Sequence, residues 1–188
     1  MRTLPLLLFA GSIVLGCGLP PRVQPNTSPD AAPRLELPDL EARVLNEVNR
    51  VRRGAGRSAL RPDPELAAIA RDHSRDMRDR RFVAHRNPDG LTPGERALRA
   101  DYGFRHFGEN LFGGRLYESR ALAREGNRTY VTYRWHTPER LATLVASMWM
   151  ESPGHRENML AGNFDYGGVG IAIGPESEVF VTLNLSAR

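Results

Sequence analysis

The segment from Trp149 to Leu160 has the sequence WMESPGHRENML, which predicts the end of one helix and the start of another. Pro153 ends the first helix, because a residue that precedes proline avoids the α conformation. Ser152 is then the expected N-cap of the second helix, and His155 falls in its first turn. The helix macrodipole disfavours a positive charge there, so we expect His155 to stay neutral and available as a metal ligand or a base.

Apolar residues recur at helical spacing in four stretches of the chain, each with its own start and stop signals. Asp39 is the expected N-cap of the first stretch, and Gly54 ends it. Pro64 stands at the first position of the second stretch, where proline is favoured. The predicted helices are 39–54, 63–80, a short helix that begins in the capping box Thr92-Pro93-Gly94-Glu95, and 138–151.

Strand signals are fewer and lie later in the chain. Residues 113–136 are ambiguous, because Thr129–Trp135 alternates as a strand does while Glu118–Arg124 is compatible with a helix. Together the elements predict an α+β fold, with helices on both sides of a small antiparallel sheet. The predicted strands are 108–112, 169–173 and 179–185, and a hairpin turn at Gly174-Pro175-Glu176-Ser177 joins the last two.

The first 16 residues have the pattern of a signal peptide. Arg2 supplies a positive charge, and residues 4–15 form an apolar run too short to span a bilayer as a mature helix. The sequence Val14-Leu15-Gly16-Cys17 resembles a bacterial lipobox, in which cleavage exposes the cysteine for lipidation. We therefore predict residues 1–16 as a signal peptide, Cys17 as the lipidated residue, and a lipid anchor to the membrane of the cell envelope; ordinary secretion is the alternative.

Residues 17–38 contain the lipidated cysteine and a proline-rich linker that cannot bury enough apolar surface to fold. Cys17 is the only cysteine, so an intramolecular disulfide is excluded and the domain must rely on its core. All 26 basic residues are arginine, which with 22 acidic residues gives a net charge of +4. The arginines are spread along the chain among Asp and Glu, so nucleic acid is not a predicted partner.

Two further segments place polar side chains beside turns and strands. The sequence FVAHRNPDG, residues 82–90, puts His85 after an amphipathic helix and before a turn. The sequence GENL, residues 108–111, puts Glu109 between a glycine and an amide on a predicted strand. Spacing alone does not combine these residues with His155 into a compact metal signature.

Four fragments in order nevertheless resemble the bacterial branch of the CAP superfamily, which comprises cysteine-rich secretory, antigen 5 and pathogenesis-related proteins. The similarity covers residues 40–185, and it implies a three-layer α-β-α sandwich with a small central antiparallel sheet and an open groove. We therefore assign residues 39–188 to a CAP domain. The fragments are F-x-A-H-x-N-P-D-G from Phe82, G-E-N-L from Gly108, W-x-x-S-P-G-H-R-x-N-x-L from Trp149, and F-x-x-x-G-V-G from Phe164.

The resemblance also implies a set of groove residues, because family members keep two histidines and two glutamates there, and several hold a divalent metal. His85, Glu109 and His155 match three of these positions. The second glutamate of the animal and plant branches falls on Ser152, whereas this chain has Glu151 one residue earlier. A shift of one residue turns a helical side chain by about 100°, so Glu151 is either re-aimed at the helix end or faces solvent.

Three functions fit this set. The leading hypothesis is a non-catalytic binding module, whose groove holds a divalent metal, zinc being favoured, and a small-molecule, lipid or cell-wall ligand. A metal-assisted hydrolase of envelope polymers or peptides, with Glu109 as general base, is the second. A polar cluster that only braces the groove is the third. Residues 113–136 are expected either to contact the ligand or to act as a spacer.

Overall fold

The structure is a computed structural model that describes residues 32–125 and 128–188. The predicted signal peptide, Cys17 and most of the predicted linker lie outside these residues. Within them, no helix is long and apolar enough to cross a membrane.

The helices and strands alternate along the chain in an α+β order. The helices are α1 (Leu37–Gly54), α2 (Pro64–Arg80), α3 (Pro93–Arg99), α4 (Pro138–Glu151) and α5 (Pro153–Leu160). The strands are β1 (Arg61–Pro62), β2 (His106–Arg115), β3 (Tyr117–Glu125), β4 (Arg128–Trp135), β5 (Tyr166–Ile173) and β6 (Glu178–Ala187).

The central sheet has the strand order β1-β5-β6-β2. β6 lies in the middle and pairs antiparallel with both β5 and β2, which places Glu109 opposite Asn184. The two-residue β1 adds to β5 in parallel. β3 and β4 pair with each other as a separate antiparallel hairpin.

The main hydrophobic core lies between one face of this sheet and the helices α1, α4 and α5. Alternate residues of β6 point into it, as the two-residue period of a strand requires, and Trp149 of α4 is fully buried there. α2 and α3 cover the opposite face, so the predicted three-layer α-β-α sandwich is confirmed. The apolar residues of both core clusters all lie between residues 35 and 185, and the described part of the chain therefore contains its own core.

α2 lies unusually close to the sheet. A Cβ atom at Gly170 would stand 2.0 Å from the backbone nitrogen of Arg71, and one at Gly168 would stand 2.3 Å from that of Ala67. The close approach lets the Ser74 hydroxyl donate to the Gly170 carbonyl at 2.9 Å and contact the Thr182 hydroxyl at 2.9 Å. On this face the helix backbone itself, together with small polar side chains, packs against the strands.

Most predicted elements are confirmed. α2, the capping box of α3, α4, the three predicted strands and the hairpin turn between β5 and β6 all lie where the sequence indicated them. α1 begins at Leu37, however, so Asp39 belongs to its first turn and is not the N-cap. Pro38 is compatible with that turn, because the N–H that proline lacks would be unpaired there in any case.

The helical interpretation of Glu118–Arg124 was wrong, since this segment forms most of β3. Its register with β4 is regular from Ser119 onward, after an irregularity between Tyr117 and Ser119. Pairing with the strand-forming residues of β4 therefore overrides the local helix propensity of the segment.

Candidate functional site

A buried carboxylate forms the floor of the predicted site. Glu109 extends from β2 with its side chain only 1% exposed, and its Oε1 lies 2.9 Å from Nδ1 of His85. His85 follows α2 in a loop and is 52% exposed. The pair thus joins a fixed, buried acceptor to an imidazole that reaches the surface.

Arg96 of α3 occupies the other oxygen of Glu109. Its Nη2 donates to Oε2 at 2.5 Å, while its Nη1 donates to the backbone carbonyls of His85 at 2.7 Å and Leu91 at 3.1 Å. One guanidinium therefore neutralises the buried carboxylate and fixes the loop that carries His85. Such pairing is what a buried charge requires.

The sequence motifs did not single out Arg96. It follows Glu95, which completes the capping box of α3 by accepting from both the backbone N–H and the hydroxyl of Thr92. The capping box starts α3 at Pro93 and makes Arg96 the fourth residue of a well-defined helix. A buried glutamate on a strand of the central sheet also implies a nearby cation, but nothing local to Glu109 indicates which arginine supplies it.

His155 lies beside His85. The two ring centroids are 6.2 Å apart and the rings meet edge to face at 66°. Partial burial lowers the pKa of His155 below its usual value, and the neighbouring His85 lowers it further. A histidine with a lowered pKa is mostly neutral at pH 7, so the His155 ring keeps a lone pair.

Two asparagines fix α5 to the edge of the sheet. Asn110 donates to the His155 carbonyl at 2.9 Å, and Asn158 donates to the Glu109 carbonyl at 3.1 Å and to Oδ1 of Asn110 at 3.0 Å. Nε1 of Trp149 donates to the carbonyl of Leu111 at 2.8 Å. β2 is an edge strand, so these side chains cap its outward carbonyls and set the position of His155 relative to Glu109.

The whole arrangement lies within the segment that matches a protein-family model. The model of the cysteine-rich secretory protein family, CAP, matches residues 45–185. The chain belongs to this family. The CAP domain therefore covers every helix and strand that carries a residue of the cluster.

Known proteins resemble this CAP domain in sequence or in fold. The Bacillus subtilis protein YkwD is 29% identical over 130 residues, which are 69% of this chain and 41% of that protein. An extracellular protein containing an SCP domain from Bacillus anthracis has a TM-score of 0.62 at 24% identity, over 84% of this chain and 45% of that one. An outer surface protein of Borrelia burgdorferi has a TM-score of 0.63 at 17% identity, over 84% and 98%. The chain thus spans less than half of the two Bacillus proteins.

Glu151, the fourth residue considered for the groove, is the last residue of α4 and is exposed. α4 is regular up to this residue, and the Ser152 N–H donates to the Met148 carbonyl at 3.3 Å. In the part of the chain that the structure describes, the Glu151 side chain makes no hydrogen bond or ion pair. His85, Glu109 and His155 are thus brought together without Glu151. Ser152 precedes α5 as its N-cap, but its side chain makes no capping bond.

The available donor groups limit how the CAP domain could hold a metal. Among residues 32–125 and 128–188, no three His, Cys, Asp or Glu side chains converge as ion ligands. Both oxygens of Glu109 are engaged, which leaves two imidazole rings, His85 and His155. This set fits an ion held by two nitrogens and completed by water or ligand, with Glu109 orienting His85. It does not fit a closed four-residue site.

His73 of α2 contacts the loop that carries His85. It is buried, and its Nε2 lies 3.1 Å from the carbonyl of Ala84, the residue before His85. Burial lowers the pKa of His73, so it is neutral and its Nε2–H donates to that carbonyl. A cavity of about 330 Å³ between α2 and α3 is lined by His73, Asn87 and Arg96, and Arg96 connects it to the cluster.

Proposed function

We propose that this protein is an exported, lipid-anchored CAP-domain binding module of the bacterial cell envelope, with a ligand groove above His85, Glu109 and His155. The observation that carries the proposal is the ion-paired, buried Glu109, which holds a half-exposed imidazole beside a second, neutral one. Fixed polar groups at the floor of a surface site are typical of small-molecule recognition.

The geometry favours binding over hydrolysis. A general base must reach the attacking water, but the Glu109 side chain is only 1% exposed and its two oxygens already accept hydrogen bonds from His85 and Arg96. The carboxylate instead holds His85 with Nδ1–H as donor, so Nε2 has its lone pair available for a ligand. A lipid or other envelope component with a hydroxyl group would meet this lone pair at the mouth of the groove.

A divalent ion, with zinc favoured, is part of the proposal. His85 and His155 would hold it, and Glu109 would keep His85 in the correct tautomer and orientation. When bound, zinc would supply a Lewis-acidic position for an oxygen of the ligand. The Arg96 charge lies on Glu109 at 2.5 Å and opposes a second cation nearby, so the proposed affinity for zinc is modest.

Export and anchoring rest on the N-terminal sequence and on similar proteins. The apolar run and the lipobox-like Val14-Leu15-Gly16-Cys17 support cleavage before Cys17 and lipidation of that residue. The Bacillus anthracis protein is described as extracellular and the Borrelia protein as an outer surface protein. An anchored domain of this family would present its groove to envelope ligands outside the cytoplasm.

Zinc binding is the first test of the groove. We expect calorimetry on the purified chain at pH 7 to detect zinc, and His85→Asn and His155→Asn each to weaken its binding by about tenfold or more. The lowered pKa of His155 should keep this ligand neutral, and so able to bind zinc, at pH 7.

The matched control for zinc binding is His106→Asn, which removes an exposed histidine of the same strand as Glu109. This variant should bind zinc as the unmodified chain does. Undetectable binding, or equal loss in all three variants, would count against the metal and leave the cluster as a brace for an apolar or hydrogen-bonding ligand.

Lipidation of Cys17 tests the anchor separately. In a bacterial host grown with labelled palmitate, the chain should incorporate label and fractionate with membranes, because diacylation gives a firm membrane association. Cys17→Ser should abolish the label and release the protein from the membrane fraction. Label that persists in Cys17→Ser, or a wild-type chain that is never labelled, contradicts the lipobox assignment.

A further inference from the structure

The β3–β4 hairpin extends away from the sandwich. Its two strands pair with each other and, among the described residues, with no strand of the central sheet. Backbone hydrogen bonds of 2.9 Å tie its base to the domain, from the Leu116 N–H to the Ser177 carbonyl and from the His136 N–H to the Leu116 carbonyl. At the base, Trp135 also packs against the main core. A two-stranded hairpin that is not covered further out is marginally stable in water, so a surface that covers it would stabilise it.

One face of the hairpin is apolar and aromatic. Tyr133 and Trp135 stack with centroids 4.9 Å apart at 17°, and Tyr117 meets both rings edge-on. Leu122 pairs in register with Val131 on the same face, and it is 77% exposed. A leucine this exposed at the end of an aromatic face is the kind of feature that marks a contact surface.

The hairpin is also basic. Residues 117–135 contain four arginines and two glutamates, which leaves an excess of two positive charges. Arg120 and Arg134 are exposed. Arg140 of α4 neutralises Glu118 at 2.6 Å. Arg120 pairs with Tyr133 and therefore lies on the apolar and aromatic face. An exposed arginine on such a face matches the headgroup region of an anionic bilayer, where tyrosine and tryptophan are enriched.

The N-terminal part of the chain enters the domain at the same end. Arg43 in the second turn of α1 pairs with Glu139 in the first turn of α4 at 2.9 Å. Glu139 follows Trp135 by four residues, so the start of α1 and the base of the hairpin are neighbours. A membrane tether that precedes Leu37 would therefore draw the hairpin end of the domain toward the bilayer.

We propose that the β3–β4 hairpin docks on the surface of an anionic phospholipid bilayer, with Leu122 in the acyl boundary and Arg120 at the lipid phosphates. Glu109 lies six residues along β2 from Arg115, which is about 20 Å at the rise of a strand, so the groove stays clear of the bilayer. A glycan partner is less favoured, because Tyr133 and Trp135 are half-buried, stack on each other and contact the Tyr117 ring, which limits the ring area open to sugars.

The test uses residues 18–188, which include the complete core and lack any lipid. Sedimentation with vesicles of phosphatidylglycerol and phosphatidylcholine is compared with sedimentation with phosphatidylcholine alone. The chain should bind the anionic vesicles about tenfold more tightly, and Leu122→Ser and Arg120→Gln should each weaken that binding by about fivefold. Matched substitutions on α3, Leu98→Ser and Arg99→Gln, should leave it within about twofold.

Each outcome decides the proposal. Selective loss in the two hairpin variants supports it, since both replaced side chains are exposed and the variants should fold. If the α3 variants lose as much vesicle binding as the hairpin variants, the proposal is overturned, and the binding is non-specific attraction between a basic protein and an anionic surface. Absence of vesicle binding overturns the proposal as well. If the chain instead sediments with insoluble peptidoglycan and Leu122→Ser abolishes this, the hairpin binds a glycan. Zinc binding and palmitate labelling are independent of all these results.

Discussion

Replacement of Arg96 by alanine is expected to lower the free energy of unfolding by about 3–5 kcal/mol, the range measured when one partner of a buried ion pair is removed. The variant leaves the 1%-exposed Glu109 carboxylate without its cation. It also removes the bonds to the carbonyls of His85 and Leu91. Urea unfolding at pH 7, followed by circular dichroism, measures the loss.

Arg99→Ala is the matched control, because Arg99 lies on the same short helix, is exposed, and makes no side-chain hydrogen bond or ion pair in the described part of the chain. Its effect should stay within about 0.5 kcal/mol. The double variant Arg96→Met/Glu109→Gln should recover part of the lost stability, since neither charge is then buried alone. An Arg96→Ala variant as stable as Arg99→Ala would show that solvent reaches Glu109.

Local sequence signals predicted the parts of the fold that local interactions determine. The capping box at Thr92 forms both of its hydrogen bonds, and Asp63 accepts from the backbone N–H groups of Glu65 and Leu66 at the start of α2. Apolar, β-branched runs on either side of a turn located β5 and β6, which are buried along most of their length. These features depend on a few neighbouring residues and can be inferred without tertiary structure.

The segment 118–124 shows where local signals fail. It contains Glu, Arg, Ala and Leu, which all favour helices, and its strand partners lie in a separate segment, β4. Cross-strand pairing with β4 decides the outcome, and the sequence of the segment alone does not contain that information.

In the candidate site, too, local motifs identified some residues and missed another. The motifs around His85, Glu109 and His155 identified three residues that the fold brings together. The cation that neutralises Glu109 is 13 residues away on another element, and only the packing of α3 against β2 brings Arg96 to it. Burial and pairing of this kind depend on tertiary structure, which is why the sequence motifs missed it.

Outside the candidate site, the substitution expected to destabilise the protein most is at Gly170. Gly170→Ala should destabilise the protein by about 4 kcal/mol or more, or prevent folding, because the added Cβ would stand 2.0 Å from the Arg71 nitrogen and 2.3 Å from the Ala70 carbonyl carbon. Both are backbone atoms, so no rotamer change relieves the clash. α2 must move off β5, which breaks the bond from Ser74 to the Gly170 carbonyl.

Comparing the thermal unfolding temperatures of Gly170→Ala and Gly103→Ala tests the close approach of α2 to β5. A Cβ at Gly103 meets no atom within 4 Å, so the control should unfold near the temperature of the unmodified chain. His85 would shift together with α2 through the contact of His73 with the Ala84 carbonyl, so any Gly170→Ala protein that folds should also bind zinc more weakly. If both variants unfold at the same temperature, α2 does not lie against the sheet closely enough to clash with an alanine at residue 170, and α2 is not a rigid support for His85.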